Sequence, residues 1–355
     1  MHIPDGYLSP STCLTFYAAS IPFWHLAFRR VKEKLNTQLI PSISLFAAFS
    51  FVLMMFNIPL PGGTSGHGVG MALAAITIGP WASILSISVA LLIQALFFGD
   101  GGITTFGANC FNLAIVGPFV AYFIFKLIAG RTALLSTGKR RIIAAGIAGY
   151  ISINVAALFA AIEFGIQPAF FKDVTGAPLY APFPIHISIP AMMIGHLTFA
   201  GLAEMLITVG VVTYLQRTSP QRSSSMEARH ASLVPAGANY SRVKPRMWVF
   251  LAVIILITPL GLLTSQTSWG EWAAADFVDG KVISYSVASS AQRPMDKAPT
   301  GLEKLQLLWK APLKSYFLPF IESASIGYIL SAIIGVGLIL LTFLVVRKSL
   351  RSTGS

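Results

Sequence analysis

Long apolar runs separated by short polar connections dominate the chain. They lie at about 12–28, 38–57, 81–98, 108–130, 142–165, 190–215, 247–264 and 326–346, with a shorter run at 71–79. Most approach the about 20 residues that a helix needs to cross about 30 Å of hydrocarbon. In that medium the backbone must satisfy its own polar groups, which confines a single apolar segment to helix. The pattern predicts an all-α fold: a polytopic membrane helical bundle of about seven segments, followed by a C-terminal two-helix transmembrane hairpin. Gly79-Pro80 divides the stretch 71–98. Pro80 has no N–H to donate and disfavours helix at the residue before it, so this stretch reads as a short helix, a break and a second helix.

Composition agrees with the pattern. Hydrophobic residues make up 55% and charged residues only 11% of the 355, and the mean hydropathy is +0.72, whereas a soluble domain carries about 25% charged residues. Membrane lipid is therefore the expected surrounding. A net charge of +12 does not indicate nucleic acid, because the basic residues sit in short clusters between apolar runs. Arg29, Arg30, Lys32 and Lys34 form one cluster, Arg131, Lys139, Arg140 and Arg141 another. A third runs from Arg217 to Arg246, and Arg347, Lys348 and Arg351 follow the last run. The connections 58–70 and 99–107 contain no Lys or Arg, and 166–189 contains only Lys172. The positive-inside rule then assigns the basic connections to the cytoplasm and the N-terminus to the outside, provided 71–98 crosses twice.

Three parts are expected: a membrane domain at 1–215, a polar cytoplasmic linker at 216–246 and an accessory two-span hairpin at 247–355. The linker carries RTSPQRSSS and several Arg residues and reads as a fusion joint. The hairpin encloses an outer segment, 265–320, whose Trp269, Trp272 and Trp309 are expected at the headgroup level as aromatic anchors. The first ten residues, MHIPDGYLSP, lack the basic start and apolar core of a cleaved signal. Met1 is expected to stay, because the bulky His2 follows it.

The candidate chemistry lies at that end. A free α-amine on Met1, the main-chain nitrogen of His2 and the His2 imidazole form a series of nitrogens able to close fused chelate rings around one ion. Planar nitrogen sets suit Ni(II) and Cu(II). His67, in PGGTSGHGVG, is expected on the same outer face and is the candidate for the remaining corner. Glycines around it let the backbone bend closely about a ligand. Either His alone is ordinary, and their joint placement is what points to a site. The stability order places Cu²⁺ above Ni²⁺ for such donors, so the ligand set alone does not select the metal.

Other polar residues inside the runs have plainer readings. Glu204 and His196 lie eight positions apart, about 12 Å along a helix. That is too far to share an ion, and an inter-helix hydrogen bond is expected for Glu204. Glu163 and His25 lie near helix ends, and His186 and His230 lie in connections. Small residues recur as Ala144, Ala148, Ser152, Ala156 and Ala160, and as Gly327, Ser331 and Gly335, stripes that let helices approach closely. They are expected to pack within the chain. Cys13 and Cys110 fall at or inside apolar runs and read as packing residues. No G-x-x-x-x-G-K-[ST] occurs, so this chain has no phosphate loop. No H-E-x-x-H occurs either, which excludes that form of intramembrane metallohydrolase, and no enzyme activity is expected.

The segments MHIPDGYLSP, PLPGGTSGHGVG and GDGGITTFGAN resemble signature segments of the CbiM/NikM family, the substrate-capture components of energy-coupling-factor metal importers. The likeness spans roughly residues 1–215. It implies a prokaryotic cytoplasmic (inner) membrane protein whose N-terminal segment inserts toward the centre of a helical body. It also implies a metal held by Met1, His2 and His67, with nickel closer in wording than cobalt. The ion is cargo, and no cofactor is implied. TPLGLL, SWGEW and GYILSA in the hairpin resemble the small accessory subunit of the same systems. A transmembrane coupling subunit and cytoplasmic ABC-type ATPases would then come from other chains. The competing reading is an ion-coupled transporter using Glu204, which usually brings more intramembrane carboxylates and repeated halves than are seen here.

Overall fold

The computed structural model describes residues 2–33, 39–60, 64–130, 138–218, 244–264, 267–278 and 297–352. Most of the linker expected at 216–246, and Met1, lie outside the described residues. Helices dominate: α1 (Pro10–Glu33), α2 (Leu39–Met54) and α3 (Met71–Ile78), then α4 (Pro80–Phe98), α5 (Phe106–Ala129), α6 (Gly138–Phe170) and α7 (Ile185–Arg217). In the C-terminal part α8 (Lys244–Leu256) leads to short helices α9 (Ala274–Val278) and α10 (Thr300–Gln306), and α11 (Ala324–Ser352) ends the described chain. Among the described residues two short antiparallel strands, β1 (Ile58–Leu60) and β2 (Thr64–Gly66), pair Ile58 with Gly66 and Leu60 with Thr64.

Among the described residues five helices are long and apolar enough to cross a membrane, namely α4, α5, α6, α7 and Ala324–Lys348 of α11, while Leu39–Met54 and Met247–Leu263 are shorter apolar helices. The protein is an integral membrane helical bundle. The reading from hydropathy needs correction at 71–98. The break at Gly79-Pro80 is present, with Gly79 at φ 85° and Pro80 opening α4. A Cβ at Gly79 would meet no atom within 4 Å, so glycine is needed there for its backbone angle rather than for space. Helix α3, with eight residues, reaches only about 12 Å and cannot cross alone. The Arg30 guanidinium lies 4.4 Å from the centre of the Trp81 ring, so α4 starts at the end of the bundle where α1 finishes. Asp100, just past α4, meets His2, just before α1. The stretches 55–60 and 64–79 therefore return through the bundle, as the two strands of an inward-folded pair followed by a short helix.

The inward fold is possible because its polar backbone is satisfied by protein, as lipid depth requires. Glu204 on α7 accepts the main-chain N–H groups of Val69 and Gly70 at 2.8 and 2.9 Å and that of Ala72 at 3.4 Å. These are the donors that open α3, which no turn of its own helix can pair. The inter-helix role expected of Glu204 is thus a cap on α3. His196 bonds within its own turn, Nδ1 to the Met192 carbonyl at 2.8 Å.

Helix α6 is the centre of the bundle, packed against α5 and α7. Its stripe Ala144, Ala148, Ser152, Ala156 and Ala160 is fully buried. The second stripe also packs within the chain: a Cβ at Gly335 of α11 would lie 2.1 Å from the Phe51 ring of α2. Cys13 and Cys110 are buried and unbonded to each other.

The outer segment departs from expectation. Trp269 and Trp272 are buried, packed with Phe164 and Phe183 at ring separations of 5.1–6.0 Å. They are core residues of a cover over the bundle end, not headgroup anchors. Aromatic spacing alone does not distinguish the two, since both bury an apolar body. Trp309 is exposed at 45% but donates its ring N–H to the Leu96 carbonyl.

Candidate metal centre

The N-terminal segment 2–9 is seated by the loop after α4 and the first turn of α5, residues 99–109. Ile3 forms a two-way bridge with Asn109, giving its N–H to Oδ1 at 2.8 Å and taking Nδ2–H on its carbonyl at 3.0 Å. That carbonyl also accepts from the Thr105 hydroxyl and the Gly102 N–H. Asp5 returns the contact, its carboxylate accepting the N–H groups of Ile103 and Thr104 and the Thr104 hydroxyl. A Cβ at Gly102 would lie 2.4 Å from the Asp5 nitrogen, so only glycine admits this approach. On the other side Ser9 N–H bonds to Gln167 Oε1 at 3.0 Å.

This seating brings His2 beside His67, with ring centroids 4.9 Å apart and planes tilted by 35°. Both are buried, at 1% and 4% exposure. Nδ1 of His2 meets Asp100 Oδ1 at 2.5 Å, and Nδ1 of His67 lies 3.1 Å from the Gly68 carbonyl. Each ring keeps a buried Nε2 with no hydrogen-bond partner among the described residues. Buried polar atoms are nearly always paired, so two orphaned imidazole nitrogens side by side call for a ligand.

The electrostatics suit a cation. Burial, and next the adjacent His2 ring, hold the conjugate acid of His67 well below the usual imidazole range. His67 is therefore a neutral donor. For Asp100 burial pushes upward, but the His2 ring and its hydrogen bond win and hold the carboxyl below its ordinary range. An anion thus stands behind a buried imidazole. Among the described residues no three His, Cys, Asp or Glu side chains gather as a ligand set. Two imidazoles offer two donors, and main-chain nitrogens and the Met1 amine, which lies outside the described residues, are further candidates.

Sequence reading singled out His2 and His67, and the fold brings them together. It missed Asp100, Asn109, Asp5 and Tyr316. The first three had a signal: polar residues recurring inside MHIPDGYLSP and GDGGITTFGAN, in connections without Lys or Arg. Tyr316 had none, since 216 positions separate it from Asp100, the residue it bonds.

Comparison with known proteins agrees with this architecture. Residues 2–222 match the CbiM family, described as the cobalt uptake substrate-specific transmembrane region, and residues 244–352 match the PDGLE domain. The chain is 47% identical to the fused nickel transport protein NikMN of Rhodobacter capsulatus, covering 96% of this chain and 95% of that one. It is 38% identical to the probable fused nickel transport protein LarMN of Lactiplantibacillus plantarum, with 96% of each covered. The cobalt transport protein CbiM of Geobacter sulfurreducens is 29% identical over 83% of this chain and 80% of its own length. A crystal structure of a transition metal transporter aligns with TM-score 0.59 and 45% identity, covering 65% of this chain and 100% of that chain. With its seated N-terminal segment, its inward hairpin and a family match over most of its length, this chain belongs to the CbiM family and carries a PDGLE domain at its C-terminal end.

Proposed function

We propose that this protein is the substrate-capture subunit of an energy-coupling-factor importer for divalent nickel, and not an enzyme. The metal is cargo, held by the Met1 amine, the His2 main-chain nitrogen and imidazole, and the His67 imidazole. The observation that carries the reading is the buried pair of imidazoles, His2 and His67, with ring centroids 4.9 Å apart and one nitrogen of each without a hydrogen-bond partner among the described residues. It is supported by the anion at Asp100 and by the nickel transport relatives that match almost the whole chain. With no phosphate loop in the chain, a coupling membrane subunit and ABC-type ATPases supply the drive. The setting is a prokaryotic cytoplasmic membrane, with the N-terminal segment facing outward.

A chelate through His2's own main-chain nitrogen closes through Nδ1, because that ring has six members. In the structure Nδ1 meets Asp100. Loading by this route turns the imidazole half a turn about Cβ–Cγ. That puts Nε2–H on the edge facing Asp100 and Nδ1 on the opposite edge. The carboxylate then stays as the partner of whichever nitrogen does not bind metal, the usual arrangement at histidine metal ligands.

The test is nickel titration of full-length protein with an untagged N-terminus, whose first residue is checked by mass spectrometry. The titration is repeated with one residue added before Met1 and with His67→Ala. Both changes are expected to abolish tight binding. Undiminished binding in the extended form removes the amine from the ligand set.

Cobalt by the same mechanism is the second reading, favoured by cobalt-named relatives such as that from Geobacter sulfurreducens. Parallel titration with Co²⁺ separates the two. The ion-coupled alternative is weakened by Glu204, whose two oxygens hold the main chain of 69–72.

A further inference from the structure

Asp100 is held from three sides. Oδ1 meets the His2 ring at 2.5 Å, and Oδ2 accepts from the Tyr316 hydroxyl at 2.6 Å and from Gln94 Nε2 at 3.2 Å. Gln94 Nε2 also donates to the Tyr316 oxygen at 3.0 Å. The hydroxyl thus has its acceptor side occupied and its single proton committed to the carboxylate. Gln94 is fully buried where the last turn of α4 widens into a π-helix over Gln94–Phe98, a distortion frequent at functional sites.

Tyr316 belongs to the C-terminal part, far from both in sequence. Its ring stacks on Phe98 at 4.8 Å and meets Phe51 edge-on at 6.2 Å. Its carbonyl is tied to the Ser331 hydroxyl at 2.8 Å. The backbone there is strained, with Ser315 and Tyr316 at φ 56° and 61°. Residues other than glycine rarely adopt that region, and such strain gathers at functional sites. Packing on Phe98 and Phe51 needs an aromatic ring but no hydroxyl. A buried hydroxyl aimed at the carboxylate behind His2 needs another explanation.

We propose that Tyr316 is a positioning residue for the metal site. By donating to Asp100 it holds the carboxylate against one edge of the His2 ring, as the partner of the nitrogen that does not bind metal, and so leaves the opposite edge to the ion. This rests on His2 being a ligand, as proposed above. A carboxylate fixed by one bond on a loop can swing away, whereas one fixed by Tyr316 and Gln94 is committed to His2. The C-terminal part thereby completes a site whose ligands all lie in the first 67 residues. Losing such an outer partner typically costs about 10- to 100-fold in metal affinity.

The test uses the full-length protein with a native N-terminus in detergent. Nickel affinity and the nickel absorption spectrum are measured for the parent, Tyr316→Phe, Asp100→Asn, their double variant and His67→Ala. Tyr316→Phe keeps the ring, so the thermal midpoint is expected to stay put while affinity falls about 10-fold and the spectrum changes. In the Asp100→Asn background the same substitution is expected to have no further effect, because its only route to the metal is gone. Parent-like affinity and spectrum in Tyr316→Phe overturn the inference, as does an equal loss in both backgrounds. Nickel binding that survives His67→Ala overturns the site itself and this inference with it, so the two failures are distinguishable.

Discussion

Glu204 reaches from α7 to the N–H of Val69, two residues beyond His67, at 2.8 Å. It holds the N–H of Gly70 at 2.9 Å with the same oxygen. One carboxylate therefore fixes both the start of α3 and the exit of the loop that presents His67.

Replacing Glu204 with Ala strands these donors where neither water nor lipid can pair them. Each buried group left unpaired costs about 1–3 kcal/mol. We expect Glu204→Ala to lower the thermal midpoint in detergent markedly and to weaken nickel binding at least about 10-fold, the latter read by calorimetry. Glu204→Gln keeps one acceptor oxygen and is expected to lose less on both measures. Equal loss in the two variants would argue for a requirement for charge rather than for the cap.

Asn109 clamps Ile3 through both amide atoms. At about 0.5–1.5 kcal/mol per bond, Asn109→Ala is expected to release about 1–3 kcal/mol of seating energy for the N-terminal segment. The predicted result is a nickel affinity about 5- to 150-fold weaker with a thermal midpoint close to the parent, since the bundle is untouched. Asn109→Asp retains an acceptor for the Ile3 N–H but sets a second acceptor against the Ile3 carbonyl, and is expected to be worse than Ala.

The pH dependence has a definite sign. Proton and metal compete for the same nitrogens, so affinity falls as pH falls. Because His67 is held below the ordinary imidazole value of about 6.5, it is already neutral at pH 7, and its own loss sets in only at lower pH. Between pH 8 and 6 the slope comes from other donors. These include an amine with an ordinary value of about 7.7–8.0 and a main-chain N–H that must give up its proton. Calorimetry in buffers of different ionisation heat is expected to count about two protons released per nickel at pH 7. A count near zero would remove both main-chain donors from the ligand set.

Gly6 adopts φ 91°, and a Cβ there would lie 2.5 Å from the Leu302 carbonyl oxygen. Gly6→Ala combines backbone strain with a clash against main chain, which cannot rotate away. We expect it to cost about 1–3 kcal/mol and to lift the cover formed by the outer segment. The readout is faster proteolysis between 297 and 320 than in the parent, at unchanged cleavage elsewhere.

The sequence determined the solvent, the helical class and the inward break at Gly79-Pro80, because hydropathy and proline geometry act over neighbouring residues. It also picked out His2 and His67 as a pair, since both sit in connections that share one face by charge alone. Glu204 was legible as a buried acid with an inter-helix role, though not as the cap of α3.

What the chain alone left open depends on contacts between distant positions. Helix α3 looked like part of a crossing because apolar length does not report where a helix begins in depth. That depth is set by the hairpin before it and by Glu204, which accepts the N–H of Val69 at the start of α3 from 135 residues away. Trp269 and Trp272 looked like anchors because an aromatic ring at a span end is equally apolar whether lipid or Phe183 covers it. Asp100 and Tyr316 drew no notice, since a hydrogen bond across 216 positions leaves no periodic trace. Only the folded chain, by burying a hydroxyl and two imidazoles around a half-buried carboxylate, decides which polar groups must meet.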